Sequence, residues 1–113
     1  MKFFGEKRDN VMFLSVEGSL DFNTHKEFDD RLNLVIEDGE KNLLLDLSKL
    51  SYLSSCGLRV FLLYVRKVKK IGGQMVLFGL SDLVFEIFKV TGFCNVLTIC
   101  KTEEEALKHF PAS

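Results

Sequence analysis

The sequence predicts a single α/β domain: a mixed, mostly parallel sheet with an N-terminal β-hairpin and about four helices. Three observations carry that prediction. Apolar segments read alternately as strands and helices along the chain, the pattern of parallel strands joined by right-handed crossovers. The first two strand-like segments flank a turn-like Asp9-Asn10, which makes them a hairpin and adds one antiparallel strand. The 113 residues are 47% hydrophobic and contain no linker, repeat or low-complexity tract, enough for one domain with a full core spanning residues 1–113.

Each element has its own signal. Residues 2–7 supply the first strand and residues 11–16 the second, after which Gly18-Ser19-Leu20-Asp21 leaves as a loop. Thr24-His25-Lys26-Glu27 reads as a capping box. Phe28, Leu32, Val35 and Ile36 follow at helical spacing, and Gly39 ends the helix. Residues 43–47 are continuously apolar apart from Asp46, as expected of a strand covered on both faces. A short loop leads to a helix over residues 57–71, whose stripe is Leu58, Phe61, Leu62, Val65 and Val68 and whose stop is Gly72-Gly73. Residues 75–78 form the next buried strand. Ser81 caps a short helix over 82–90, with ordinary core roles expected for Phe85 and Phe88. A last strand covers 96–100. Thr102-Glu103-Glu104-Glu105 is a second capping box before Ala106, Leu107 and Phe110, and Pro111 ends the regular structure.

Composition narrows the function classes. A net charge of -1 with interspersed signs argues against a protein that tracks nucleic-acid phosphates, which needs a basic face. The basic run Arg66-Lys67-Val68-Lys69-Lys70 falls at a helix end, where cations favour the dipole. No apolar run approaches a membrane span, and the N-terminus turns charged too early for a secretory signal. Three cysteines, Cys56, Cys94 and Cys100, without CxxC spacing suggest a reducing cytoplasm and not a disulfide framework or zinc site. No cofactor is expected. Eleven phenylalanines in so short a chain favour an exposed apolar patch of the kind that marks partner sites.

The most informative stretch is Leu53-Ser54-Ser55-Cys56-Gly57-Leu58, three small polar residues and a glycine opening the long second helix. Hydroxyls at a helix start sit where unpaired N–H groups and the positive end of the dipole favour negative charge, so a phosphoryl group is well accommodated there. The same serines also serve simply as caps. Enzymatic readings find less support. No Gly-x-Ser-x-Gly elbow surrounds Ser54 or Ser55, and His25 and His109 are the only candidate bases. Cys56 lacks the arginine six residues on that a phosphatase loop needs, since Leu62 stands there, and reads as a small packing residue. Gly72-Gly73 precedes a strand and not a helix, unlike a phosphate-binding loop. Asp46 sits near a strand end as a receiver-domain phosphoacceptor would, but the early acidic pair for Mg²⁺ is missing; only Glu17 and Asp21 occur, separated.

Those residues carry a family resemblance. Leu45-Asp46-Leu47-Ser48 followed by Leu53-Ser54-Ser55-Cys56-Gly57-Leu58 resembles the signature of STAS domains, specifically the bacterial anti-sigma factor antagonists. Gly18-Ser19-Leu20-Asp21, Ile71-Gly72-Gly73 and Val90-Thr91-Gly92-Phe93 resemble further family segments in the same order. The resemblance implies a partner switch. The unphosphorylated antagonist binds an anti-sigma factor that is itself a serine kinase, sigma factor is released, phosphorylation ends binding, and a PP2C-type phosphatase resets the protein. The family motif Asp-Ser-Ser-Gly-Leu is phosphorylated on its first Ser, which counted back from Gly57 is Ser55. Cys56 replaces the second Ser, and Ser54 replaces the Asp, which makes Ser54 an alternative acceptor. The implied working surface comprises Asp21, Ser54, Ser55, Cys56, Gly57, Leu58 and Arg59, with Phe61 and Leu62 beyond; Asp21 reads alternatively as a turn-forming cap, and Asp46 as a structural hydrogen-bonding residue. A second reading keeps the fold but drops phosphorylation, leaving a scaffold or sensor module in a larger complex.

Overall fold

The structure, a computed structural model, describes residues 1–111. Its elements in chain order are β1 (Lys2–Arg8), β2 (Val11–Leu20), α1 (His25–Glu37), β3 (Asn42–Asp46), β4 (Leu50–Leu53), α2 (Ser55–Lys70), β5 (Gln74–Phe78), α3 (Asp82–Val90), β6 (Thr98–Cys100) and α4 (Glu103–Leu107). The sheet runs β1-β2-β3-β5-β6. β1 pairs antiparallel with β2; β2, β3, β5 and β6 are parallel to one another. The predicted fold class is the observed one.

Period-two alternation sorts the strand side chains between two layers. Leu14, Val16, Leu43, Leu45, Met75 and Leu77 join the larger core under α1, α2 and α3. Val11, Phe13, Leu44, Val76 and Phe78 face the opposite way and pack with Ala106 and Phe110 of the C-terminal segment. β3 is thus apolar on both sides, which explains its unbroken Leu43-Leu44-Leu45. Helix α2 presses Leu58, Phe61, Tyr64, Val65 and Val68 onto the sheet. Fully burying each such side chain contributes about 1.5–3 kcal/mol, which anchors the helix start firmly enough to serve as a fixed platform. Phe28, Phe61 and Phe88 join α1, α2 and α3 in a chain of aromatic contacts, with centroid spacings of 5.0 and 5.6 Å.

Several local expectations need correction. Gly18 to Leu20 is strand and not loop: β2 bends at Gly18 (φ +103°) and pairs in parallel with β4, a strand where a loop was expected. Thr24 occupies the N-cap of α1 but forms no capping box; its hydroxyl donates to Ser19 O at 2.7 Å and accepts from the Asp21 N–H at 2.9 Å. At α4, Thr102 does cap Glu105 N–H, yet the Glu105 carboxylate accepts from the Lys101 N–H and not from that of Thr102. The last strand starts at Thr98, because Gly92 (φ +78°) turns the chain into a 3₁₀ turn over Phe93–Asn95 and the Val96 N–H bonds to Phe93 O at 3.0 Å.

Candidate functional site

Two segments more than thirty residues apart in the sequence meet at the C-terminal end of β2. The Ser54 N–H donates to Leu20 O at 2.8 Å, which ties the start of α2 to the residue before Asp21. Helices that follow parallel strands start at that end of the sheet, where binding sites collect. Gly57 permits the approach: a Cβ there would lie 2.6 Å from Leu53 Cδ1 and 2.9 Å from Leu20 Cβ. Only a residue without a side chain fits between the helix and the strand end.

The two candidate serines are not equivalent. Ser54 is the N-cap, with extended backbone (φ -89°, ψ 174°), and its Oγ accepts from the Gly57 N–H at 3.4 Å. Ser54 O accepts the first intrahelical bond, from the Leu58 N–H at 3.0 Å. Ser55 is the first helical residue and its side chain is exposed. The amides of Ser55 and Cys56 precede the first intrahelical bond, so Ser55 sits at the positive end of a sixteen-residue helix. Ser51, a further hydroxyl on β4, is engaged with Gly18 O at 3.0 Å.

The Asp21 loop forms the neighbouring wall. Asp21 Oδ1 accepts from the Asn23 N–H at 2.9 Å and the Thr24 N–H at 3.2 Å, so its carboxylate organises the turn into α1. That is a capping role, performed next to Leu20, whose carbonyl accepts from the Ser54 N–H. Asp46 likewise accepts from the Ser48 N–H at 2.9 Å, as expected of a structural strand-end residue. Gly57 and Leu58 are buried, and Phe61 is fully so. These three position the surface and offer a partner little area of their own. Ser54 and Cys56 are half-buried, Ser55 and Arg59 exposed.

Several residues of this corner carry only a weak sequence signal. Phe22 is 78% exposed at the tip of the Asp21 loop, its ring centroid 6.0 Å from that of His25. A large aromatic inside a polar turn was the available hint. A groove of about 320 Å³ between α1 and α2 is lined by His25, Asp29, Cys56, Arg59, Val60 and Leu63. Tyr52 on β4 is also exposed. Beneath the groove Tyr64 donates its hydroxyl to Asp29 O at 2.9 Å and to the Asp29 carboxylate, locking α1 to α2. Burial, reinforced by that carboxylate, pushes the Tyr64 phenol far above its ordinary range. Phe85, assigned to the core by its sequence pattern, is 42% exposed, whereas Phe88 is buried as expected.

Among the described residues no group of three His, Cys, Asp or Glu side chains could hold a metal ion, and no helix is long and apolar enough to cross a membrane. The arrangement is an anchored helix start, an exposed hydroxyl and a flanking aromatic loop, with a guanidinium one turn along. Such a surface can bind a protein and can carry a phosphoryl group.

Comparison with known proteins gives a consistent result. Residues 5–106 match the model of the STAS domain. The Bordetella bronchiseptica protein BtrV is 30% identical over 97% of this chain and 95% of its own. The anti-sigma-B factor antagonist of Listeria monocytogenes is 32% identical, with 88% of each chain covered. The crystal structure of an anti-sigma factor antagonist from Mycobacterium paratuberculosis superposes with a TM-score of 0.87 at 24% identity, covering 96% of this chain and 92% of that one.

Proposed function

This chain belongs to the STAS domain family, and from that membership and the Ser55 corner we propose that it is an anti-sigma factor antagonist controlled by phosphorylation. It acts by binding and not by catalysis. In its unmodified form it engages an anti-sigma factor that is also a serine kinase, through Ser54, Ser55, Cys56, Arg59 and the Asp21-Phe22 loop, and sigma factor goes free. The kinase phosphorylates Ser55 and ends the interaction; a PP2C-type phosphatase restores it. The signalling would take place in the cytoplasm.

The single observation that carries this reading is the difference between the two serines. Ser54 Oγ is occupied as the helix cap, whereas Ser55 is exposed at the first helical position, ahead of the first intrahelical bond. Replacing the family's Asp with Ser54 therefore preserves the capping role, since Ser and Asp are both strong N-caps. It adds no competing acceptor as long as that hydroxyl remains engaged.

The mechanism follows from two opposing magnitudes. A phosphate adds about -1.5 to -2 charges. At a helix N-terminus that charge is favoured within the domain by about 0.3–1 kcal/mol, and Arg59, four residues on and exposed, is placed to pair with it. Inside an interface the same group meets a surface shaped for a hydroxyl, where an unpaired buried charge costs several kcal/mol. The second effect dominates, so phosphorylation breaks the complex without refolding the domain.

The test uses the purified chain, its cognate anti-sigma factor and ATP. Phosphate should map to Ser55, and Ser55→Ala should remove it. Label remaining on Ser54 would refute the residue assignment. A complex that forms but never transfers phosphate would favour the scaffold reading.

A further inference from the structure

We propose that β1 is a self-association edge, on which a second copy of this chain pairs antiparallel about a two-fold axis at Phe4. The inference goes beyond the antagonist reading and does not depend on it. Among the described residues β1 pairs with β2 alone, so its outer backbone groups have no strand partner. An open seven-residue edge is a template for another strand.

The two faces of β1 differ. Phe3 points toward α1 and stacks on Phe28 at 5.7 Å. By alternation Gly5 and Lys7 share that side, while Lys2, Phe4, Glu6 and Arg8 point to the other. Phe4 is 57% exposed, a large aromatic on the otherwise charged face formed with Lys2, Glu6 and Arg8. Beside the edge, on the α1 side, a cavity of about 290 Å³ is walled by Phe3, Gly5, Met12, Leu14 and Leu32, with Arg31 among its lining residues.

A two-fold axis normal to the sheet keeps faces matched, so only registers centred on a residue are allowed. Centring on Phe4 sets Lys2 opposite Glu6 of the second copy, Phe4 opposite Phe4, and Phe3 opposite Gly5. Both ends gain opposite-charge pairs, the middle gains an aromatic pair, and each Phe3 lies over a cross-strand glycine beside the apolar cavity. Glu6 is already held by Arg8 at 2.8 Å, so its carboxylate would bridge a cation from each copy. Centring on Gly5 instead sets Lys2 against Arg8 and leaves Phe4 against Glu6. Centring on Phe3 sets Lys2 against Phe4. The edge charges therefore select one register instead of blocking all of them. The proposed contact uses Lys2 to Glu6 of β1, none of which belongs to the Ser55 corner.

Sedimentation equilibrium of the full chain across a wide concentration range tests the proposal. Wild-type protein should show reversible dimerisation. Lys2→Glu and Glu6→Lys should each weaken it about tenfold or more, because both charge pairs per dimer become repulsive. An equimolar mixture of the two variants should restore it, since each mixed pair is again Glu opposite Lys. Unchanged melting temperatures would show that both variants fold, and Ser55→Asp should dimerise like wild type. A wild-type chain that stays monomeric up to millimolar concentration would overturn the proposal. So would variants that dimerise as wild type does, or a mixture no tighter than its components.

Discussion

Gly57 sets the tightest constraint at the site. A methyl group there would penetrate Leu53 and Leu20, so Gly57→Ala must push the helix start away from the strand end. Overpacking of this kind costs about 1–3 kcal/mol. The expected outcome is a clear loss in denaturant-unfolding free energy together with weaker partner binding. A Gly57→Ala protein of wild-type stability would show that the helix start is not so closely held. Ser54→Ala should cost about 0.5–1 kcal/mol, the low end for a lost N-cap because the bond to Gly57 N–H is long at 3.4 Å. Thermal melting measures it. The order of the serines was legible from Gly57 by counting; which hydroxyl is spent as the cap was not, because two adjacent serines offer the same local chemistry. Thr24 shows the same limit. Its capping-box pattern was sound locally, but Asp21 and Ser19 O compete for its hydroxyl once β2 extends to Leu20.

The helices were largely legible, because each carries a stripe of apolar residues and its own stop signal. Strand β4 and the end of β2 were not. Each depends on the other: Leu50–Leu53 is four residues with only its two ends buried, and it becomes strand by pairing with Gly18 to Leu20 after β2 bends away from β3. Parallel pairing leaves no turn signature between its partners. The groove between α1 and α2 was invisible for a similar reason, since its Asp29–Tyr64 bond joins two helices across thirty-five residues. That bond makes a prediction at this scale. Tyr64→Phe should lose about 1.5–3 kcal/mol near neutral pH, the worth of a hydrogen bond to a charged group. The phenol is held above its ordinary value in the folded state. Its contribution is therefore complete below the unfolded value near pH 10 and is lost as pH rises past it toward the folded value. Wild-type stability should fall more steeply above about pH 10 than that of Tyr64→Phe. Parallel pH profiles of the two would contradict the assignment.

For the molecule as a whole, a rigid platform and a replaceable surface are separate parts. The two cores hold the sheet and the base of α2, while the Ser55 hydroxyl, Arg59 and Phe22 stand outside them. A charge added at Ser55 touches the surface and not the core, which is why regulation without refolding follows from this fold. Ser55→Asp brings one charge where phosphate brings nearly two, so it should weaken partner binding by an intermediate factor and leave melting almost unchanged. The most direct measurement compares Ser55-phosphorylated and unmodified protein side by side, by calorimetric titration against the anti-sigma factor and by thermal melting. Affinity should fall about a hundredfold or more on phosphorylation, while the melting temperature moves by no more than a few degrees, the shift expected from about 0.3–1 kcal/mol. Equal affinity for the two forms, or lost binding accompanied by a collapse in melting temperature, would contradict the account.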